Sequence, residues 1–252
     1  MDTTDIIIPV WNNARITIEC LQSLREYTGE HVGVPVRVIL VDNGSRTSER
    51  VAVERELSHH ENYVLLRQPK NLGFAPAVNI GMDAVKTPYF CVLNNDVVVT
   101  KGWLYRLREA MDNYLEYAAL GPVTNRSGST QQYSRIAERV GWPPLEESEM
   151  AEHVNHQSDE TYALAGNLSY FCTLFRKCVT DDVGRLYEGF VNGGEDDDYN
   201  DRLRDAGWAV GICLNCFVYH KHRATRNLIP DYRKYQRQNS ALLRQRRAER
   251  NG

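Results

Sequence analysis

The chain has 252 residues, 42% of them hydrophobic and 25% charged, with a formal net charge of −3. That composition fits one large α/β domain or two small ones and excludes a disordered chain. No apolar run approaches the roughly 20 residues that span a bilayer, and the start MDTTDIIIPV has neither a basic leader nor a small-residue cleavage site, so a cytoplasmic protein is expected.

Asp5 to Val10 reads as the first strand and Arg15 to Tyr27 as the helix after it. Val36 to Val41, Tyr63 to Arg67 and Tyr89 to Leu93 read as further strands, each an apolar run of strand length bounded by turn residues. Their alternation with helical segments predicts a mostly parallel central sheet flanked by helices. Trp103 to Tyr117 reads as a helix and Val123 to Thr161, rich in Ser, Gln, Glu and Pro, as a loop or insertion. Leu164 to Arg176 and Ala209 to Tyr219 are strand-like, and Glu195 to Ala206 is helix-like. Residues 1–230 are expected to form one domain, and 231–252 a basic tail whose helix runs from Asp231 to Arg250.

The six cysteines mostly sit in apolar segments of a chain too large to need disulfide staples, so buried reduced thiols are expected. Cys213 and Cys216 form a C-x-x-C pair, but inside a strand-like run and without a second pair, which disfavours zinc or redox chemistry.

Open α/β sheets bind ligands beyond the carboxyl ends of their strands, so the strand exits are where chemistry is sought. The first strand ends in Pro9-Val10-Trp11-Asn12 and the second in Asp42-Asn43-Gly44-Ser45. Asp42 can accept a hydrogen bond from a base N–H or can simply form an Asx turn. Asn71-Leu72-Gly73 opens a segment of small residues through Ala77, Asn79 and Gly81, suited either to a ligand approaching a helix start or to close packing on the sheet. The fourth strand runs into Asn94-Asn95-Asp96, where a carboxylate could hold a divalent cation together with substrate phosphates, or cap a turn.

Glu195, Asp196, Asp197 and Asp198 form the densest acidic cluster. Either a helix N-terminus offsets their repulsion, or one of them is a base of raised pKa. His220 follows the last strand and can ligate a metal, while Lys221, Arg223 and Arg226 could neutralise a diphosphate or form a solvated face.

Taken in order, IIIPVWNN, VDNGS, NLGFAPAVNIG, YFCVLNNDV, GW, GGEDDDY and YHKH resemble the motif series of glycosyltransferase family 2, inverting enzymes with the Rossmann-like GT-A fold, across residues 5–222. NLGFAPAVNIG followed by LNND is similar to the rhamnosyltransferase branch. The resemblance implies that Pro9, Val10, Trp11, Asn12 and Asp42 line the nucleobase and ribose pocket, with Asn71, Gly73, Asn79, Asn94 and Asn95 also on the nucleotide. Asp96 would hold Mn²⁺ or Mg²⁺ at the end of the family's D-x-D motif, and His220 would complete the metal site. Asn94 stands at the first motif position, a departure that removes one ligand charge. Asp196, with Glu195 beside it, matches the general base, Asp197 would face the acceptor, and Arg223 and Arg226 the diphosphate.

The activity so implied is metal-assisted single displacement from a UDP- or dTDP-sugar, dTDP-rhamnose among them, to a hydroxyl of a glycan, lipid-linked saccharide or polysaccharide. Two alternatives stand beside it. A sugar nucleotidyltransferase is disfavoured because no Gly-rich, basic loop follows the first strand. The other is an inactive nucleotide- or carbohydrate-binding module, which the Asn94 departure would suit. For the Arg-rich tail, packing on the domain or on a second copy of the chain is the plainer expectation. Contact with the inner face of an anionic membrane is the alternative, and no nucleic acid is expected.

Overall fold

Strand β1 (Thr4–Val10) carries Ile6, Ile7 and Ile8 in succession, so both of its faces need a covering layer, and in the computed structural model both have one. The structure describes residues 2–157, 161–163, 167–191, 193–221 and 232–251. Ile6, Ile8 and Val10 pack with helices α1 (Ala14–Tyr27), α2 (Thr47–Leu57) and α4 (Trp103–Asn113). Ile7 packs on the other side with α3 (Phe74–Asp83), α5 (Tyr133–Val140), α6 (Glu147–Asn155), α7 (Lys177–Val183) and α8 (Glu195–Asp205). The reason is visible in α1, where Ala14, Thr17, Leu21 and Leu24 recur at three- and four-residue steps and are all buried. On the opposite face, α3 lies so close to the sheet that a Cβ on Gly81 would meet the Ile7 side chain at 2.4 Å.

The remaining strands are β2 (Val36–Asp42), β3 (Tyr63–Arg67), β4 (Tyr89–Leu93), β5 (Val97–Val99), β6 (Tyr117–Thr124), β7 (Thr161–Ala163), β8 (Cys172–Arg176) and β9 (Ala209–His220). Among the described residues they form one sheet in the order β3-β2-β1-β4-β8-β6-β9-β5, with β7 also paired to β9. Pairing is parallel from β3 through β4 and between β6 and β9. The β4–β8, β6–β8, β5–β9 and β7–β9 pairs are antiparallel, so the mostly parallel sheet read from the sequence describes its first half. The polarity has one consequence for function: β1, β2, β4, β6 and β9 all end, and β8 begins, at the same edge.

Three segments depart from the sequence-based expectation. The helix begun at Trp103 stops at Asn113, and Tyr117 opens β6, a strand whose Gly121-Pro122 reads locally as a turn. Pro122 is tolerated because the β6–β9 register shifts between Pro122 and Val123. Within the expected loop from Val123 to Thr161 lie α5 and α6. In the expected strand from Leu164 to Arg176, regular pairing starts at Cys172, and residues 164–166 lie outside the described ones.

Helix α9 (Tyr232–Asn251) docks on α8 through ion pairs from Arg246, Arg247 and Arg250. No helix of the described residues is long and apolar enough to cross a membrane. The cysteines are free, and all but Cys178 are buried. Cys213 donates to Asn215 Oδ1 at 2.9 Å and Cys216 to the Trp103 carbonyl at 3.2 Å.

Candidate active site

The exits of β1 and β2 are tied to each other. Asn12 and Asn13 both adopt left-handed backbone, with φ of 55° and 57°, a region that asparagine enters more readily than most residues. Asn12 is held there by its amide, which donates to Ser45 Oγ at 2.8 Å, and by its side-chain oxygen, which accepts from the Arg46 amide at 2.9 Å. Asp42, buried at the end of β2, accepts from the Ser45 amide through Oδ1 at 2.9 Å. This is the Asx turn. Its Oδ2 has no protein donor among the described residues.

A second web joins β2 to the start of α3, and its centre, Asn43, was not among the expected site residues. Its Nδ2 donates to Asn71 Oδ1 at 3.0 Å and to the Gly73 carbonyl at 2.9 Å, while its Oδ1 accepts from the Leu72 amide at 2.9 Å. Asn71 accepts also from the Gly73 amide. Gly44 permits this approach, because at its φ of +78° a Cβ would stand 2.5 Å from the Lys70 backbone. The signal was the Asn-Gly pair after a strand, which local turn chemistry explains without any distant partner.

Past β4, consecutive side chains have different tasks. The Asn94 carbonyl accepts from the Val97 amide and closes the turn, and its side chain makes no hydrogen bond with described residues. Asn95 turns inward, donating to Thr17 Oγ1 on α1 at 2.8 Å. Asp96 faces His220. Strand β5 pairs Val97 with His220, and across that ladder Asp96 Oδ1 stands 3.3 Å from His220 Nε2, both side chains being 8% exposed. The Lys221 amide donates to the Asp96 carbonyl.

The imidazole is fixed on its other sides. Its Nδ1 lies 3.1 Å from the Arg126 carbonyl, its backbone N–H donates to Asn125 Oδ1 at 2.8 Å, and its ring stacks on Phe171 at 4.7 Å and 16°. A carbonyl partner requires the proton on Nδ1, which turns the Nε2 lone pair toward a carboxylate. Two acceptors at that distance call for a proton or a cation between them. A divalent ion fits this donor set of one carboxylate and one imidazole with an anchored second nitrogen. No group of three or more His, Cys, Asp or Glu side chains placed to hold a metal ion is present among the described residues, so substrate oxygens or water would have to complete the shell.

At the head of α8 the acidic cluster divides. Glu195 is buried and accepts from the Gly193 amide at 2.7 Å. Asp197 accepts a short hydrogen bond from Asn167. Asp198 is fully buried and ion-paired to Arg246 at 2.8 Å and Arg250 at 2.7 Å. Asp196 accepts only from the Asp197 amide, and no basic side chain of the described residues pairs with it. Desolvation, and then the neighbouring Glu195 and Asp197 carboxylates, hold it well above the usual carboxylate range. Burial also raises Glu195 and Asp197. The segment before β8 sets the position of this helix: Tyr170 donates to Asn200 at 3.0 Å, and Asn200 donates to the Leu168 carbonyl at 2.7 Å. Asn167 and Leu168, which hold Asp197 and Asn200, come just before β8, and β8 begins at the edge where β4 ends, with Cys172 paired to Leu93, so the head of α8 lies toward the edge that carries Asp96.

Of the expected nucleotide residues, Pro9 to Asn12, Asp42, Asn71, Gly73, Asn94 and Asn95 lie along this edge. Asn79 is occupied elsewhere. Its carboxamide donates to the Leu186 carbonyl and to Glu188 and accepts from the Leu186 amide, which makes it an anchor for the segment leading to α8. Arg223 and Arg226 lie outside the described residues.

Comparison with known proteins agrees with this architecture. The model of glycosyl transferase family 2 matches residues 5–183. An N-acetylglucosaminyl-diphospho-decaprenol L-rhamnosyltransferase of Mycobacterium tuberculosis is 29% identical over 218 residues, covering 76% of this chain and 68% of that protein. Glycosyltransferase GlyG of Streptococcus pneumoniae is 22% identical over 102 residues, covering 40% of this chain and 33% of its own length. Among solved structures, mannosyltransferase PcManGT from Pyrobaculum calidifontis, in complex with GDP-Man and Mn²⁺, superposes with a TM-score of 0.67 at 14% identity, covering 89% of this chain and 59% of that one. S. aureus TarS 1–349 in complex with UDP-GlcNAc superposes with a TM-score of 0.63 at 15% identity, covering 87% and 58%. This chain therefore spans about a third of GlyG and under two thirds of these structural neighbours, which share its GT-A fold. With the family model covering residues 5–183 of the 252, the chain belongs to glycosyl transferase family 2.

Proposed function

We propose that the protein transfers a sugar from a UDP- or dTDP-sugar to an acceptor hydroxyl with inversion at the anomeric carbon. The observation that carries this reading is the contact between Asp96 and His220, 3.3 Å apart, on the edge where Asp42 ends β2 and Asp196 opens α8. Asp42 Oδ2 takes the base N–H, and the Asn12 and Asn43 webs hold the walls of the nucleotide site. Asp96 and His220 would hold a Mn²⁺ or Mg²⁺ ion, which when bound supplies positive charge beside the diphosphate. Arg223 and Arg226 are proposed to add charge there.

Asp196 is the proposed base. Its carboxylate accepts the acceptor hydroxyl proton as that oxygen bonds to the anomeric carbon. The bond from that carbon to the diphosphate oxygen breaks on the opposite face, and its electron pair leaves with the nucleoside diphosphate. A carboxylate held above its usual range is a better proton acceptor than an exposed one, provided the medium is basic enough to ionise it. Asp197, beside it, would orient the acceptor.

A lipid-linked saccharide acceptor and a rhamnosyl donor are favoured by the relative named for L-rhamnosyl transfer to N-acetylglucosaminyl-diphospho-decaprenol. Such an acceptor would bring the protein to the cytoplasmic membrane face, where the side of α9 turned away from α8 could meet anionic headgroups. The test is a panel of UDP- and dTDP-sugars with Mn²⁺, read as release of nucleoside diphosphate on adding acceptor. Release of pyrophosphate would instead mark a nucleotidyltransferase, and no release with any donor would favour a binding module.

A further inference from the structure

We infer that helix α9 is a latch that aims the head of α8, and that Arg246, Arg250 and Asn239 are positioning residues for Asp196. The catalytic part of this inference rests on the base assignment proposed above.

Its contacts fall on both sides of the Gly193-Gly194 turn, whose φ values are 141° and 101°. Gly194 is the N-cap of α8 and offers no side-chain cap, so the helix start is joined to the preceding chain by its most permissive residues. Before the turn, buried Asn239 brackets Val191, accepting from its amide at 3.2 Å and donating to its carbonyl at 2.9 Å. The Arg246 guanidinium lies 3.7 Å from the centre of the Tyr187 ring. Beyond the turn, Arg246 reaches both oxygens of Asp198, at 2.8 and 3.2 Å. Arg250 reaches Asp198 at 2.7 Å, Asp201 at 3.2 Å and Asp205 at 3.1 Å.

Asp198, Asp201 and Asp205 recur at three and four residues and so share one face of α8, the face turned to α9. Asp196 precedes Asp198 by two residues, about 200° around the helix axis at 3.6 residues per turn. A grip on Asp198 from behind therefore fixes the direction in which Asp196 points. Were these ion pairs only a surface tie, they would not need a fully buried carboxylate shared by two guanidiniums. The Asn167–Asp197 and Tyr170–Asn200 bonds grip the helix from the sheet side, and Tyr199 and Arg202 donate to the carbonyls of Gly184, Arg185 and Val183, so loss of α9 frees the Asp198 face while the rest of the helix stays held.

The test compares the full-length wild type with Arg246→Gln/Arg250→Gln and Arg246→Lys. A further variant adds Asp198→Asn to the double substitution, so that no unpaired buried charge unfolds the protein. Turnover is followed with the UDP- and dTDP-sugar panel, Mn²⁺-dependent UDP and dTDP binding by calorimetry, and backbone exchange by hydrogen–deuterium mass spectrometry. The latch predicts a fall in kcat on the order of 10- to 100-fold from misplacement of the base. It also predicts unchanged nucleotide affinity, faster exchange at residues 194–199 with β4 and β9 unaffected, and partial recovery in Arg246→Lys. Wild-type kcat and wild-type exchange in the folded triple variant would overturn it. If instead Asp196→Asn turns over like the wild type, or no donor in the panel is used, the base assignment fails, and exchange at 194–199 still decides whether α9 holds the helix head.

Discussion

Asp96 and His220, 124 positions apart by their numbers, are neighbours because the three-residue strand β5 pairs Val97 with His220. Phe171 completes the arrangement by stacking on the imidazole, and it reaches that place by standing just before β8. Phe171→Leu keeps an apolar side chain but removes the flat surface. It is expected to weaken Mn²⁺-dependent UDP or dTDP binding by about tenfold, the scale on which groups behind a metal ligand act. Calorimetry with and without Mn²⁺ checks this, and an unchanged Mn²⁺ effect would reduce Phe171 to a packing residue.

Asp196→Asn should lower kcat by about 10²- to 10⁴-fold with nucleotide affinity intact. It should also stabilise the fold. The folded-state pKa of Asp196 is raised, chiefly by desolvation, so its favourable contribution is fully present below the unfolded pKa and is lost as pH rises through the folded one. At alkaline pH the wild type carries a partly buried carboxylate that the variant lacks, and the gain in Tm should grow from acid to alkaline pH. In the wild type, kcat/KM should fall on acidification at a pH above the ordinary carboxylate range. A wild-type rate in the variant would remove the base from Asp196.

Gly44→Ala tests the web that joins β2 to α3. The substitution both strains a backbone at φ +78° and sets a Cβ 2.5 Å from Lys70 backbone atoms, which cannot swing away as a side-chain tip could. A loss of at least about 1 kcal/mol is expected in chemical denaturation. Nucleotide binding should weaken as Asn43 loses register with Leu72 and Gly73. Wild-type stability would mean that the Asn71 loop yields at no cost.

The strand exits were legible because they obey local rules. β1 to β4 are apolar runs bounded by turn residues, and the polar residues that follow them end on one edge. β5 was not legible. Three valines after a turn show no periodicity, and their partner strand lies more than a hundred residues away. In α5, Tyr133, Ile136, Ala137 and Val140 do have helical spacing, a signal hidden by the polar composition around it. The cap of α6 uses Glu146 and Glu149, and glutamate at an N-cap is outside the usual set of Ser, Thr, Asp and Asn. In the acidic run of α8 the sequence marked the cluster. What sorted its members was tertiary structure: Asp198 to α9, Asp197 to Asn167, and Asp196 without a cation among the described residues.

Behind the site, Asp5 is fully buried and paired with Arg37 through hydrogen bonds of 2.7 and 2.8 Å. Burial alone would raise its pKa. The Arg37 hydrogen bonds and charge, with the Lys86 amide, outweigh that and hold it below the usual value. A depressed folded pKa contributes stability present above the unfolded pKa and lost as pH falls through the folded one, so the pair should support the fold at neutral pH and fail only in strong acid. Arg37→Ala leaves the carboxylate buried without its partner and should cost about 3–5 kcal/mol in denaturant titrations at pH 7. A loss near zero would mean that Lys86 and Thr87 suffice.

The central claim is that Asp96 and His220 act together on the cation and diphosphate of the donor. It is tested most directly by calorimetric titration of UDP and dTDP, with and without Mn²⁺, into wild type, Asp96→Ala, His220→Ala and the double variant. The account predicts that Mn²⁺ tightens binding in the wild type, that either substitution removes most of that gain, and that the double variant loses little more than the worse single one. A Mn²⁺-dependent gain that survives in the double variant would contradict it.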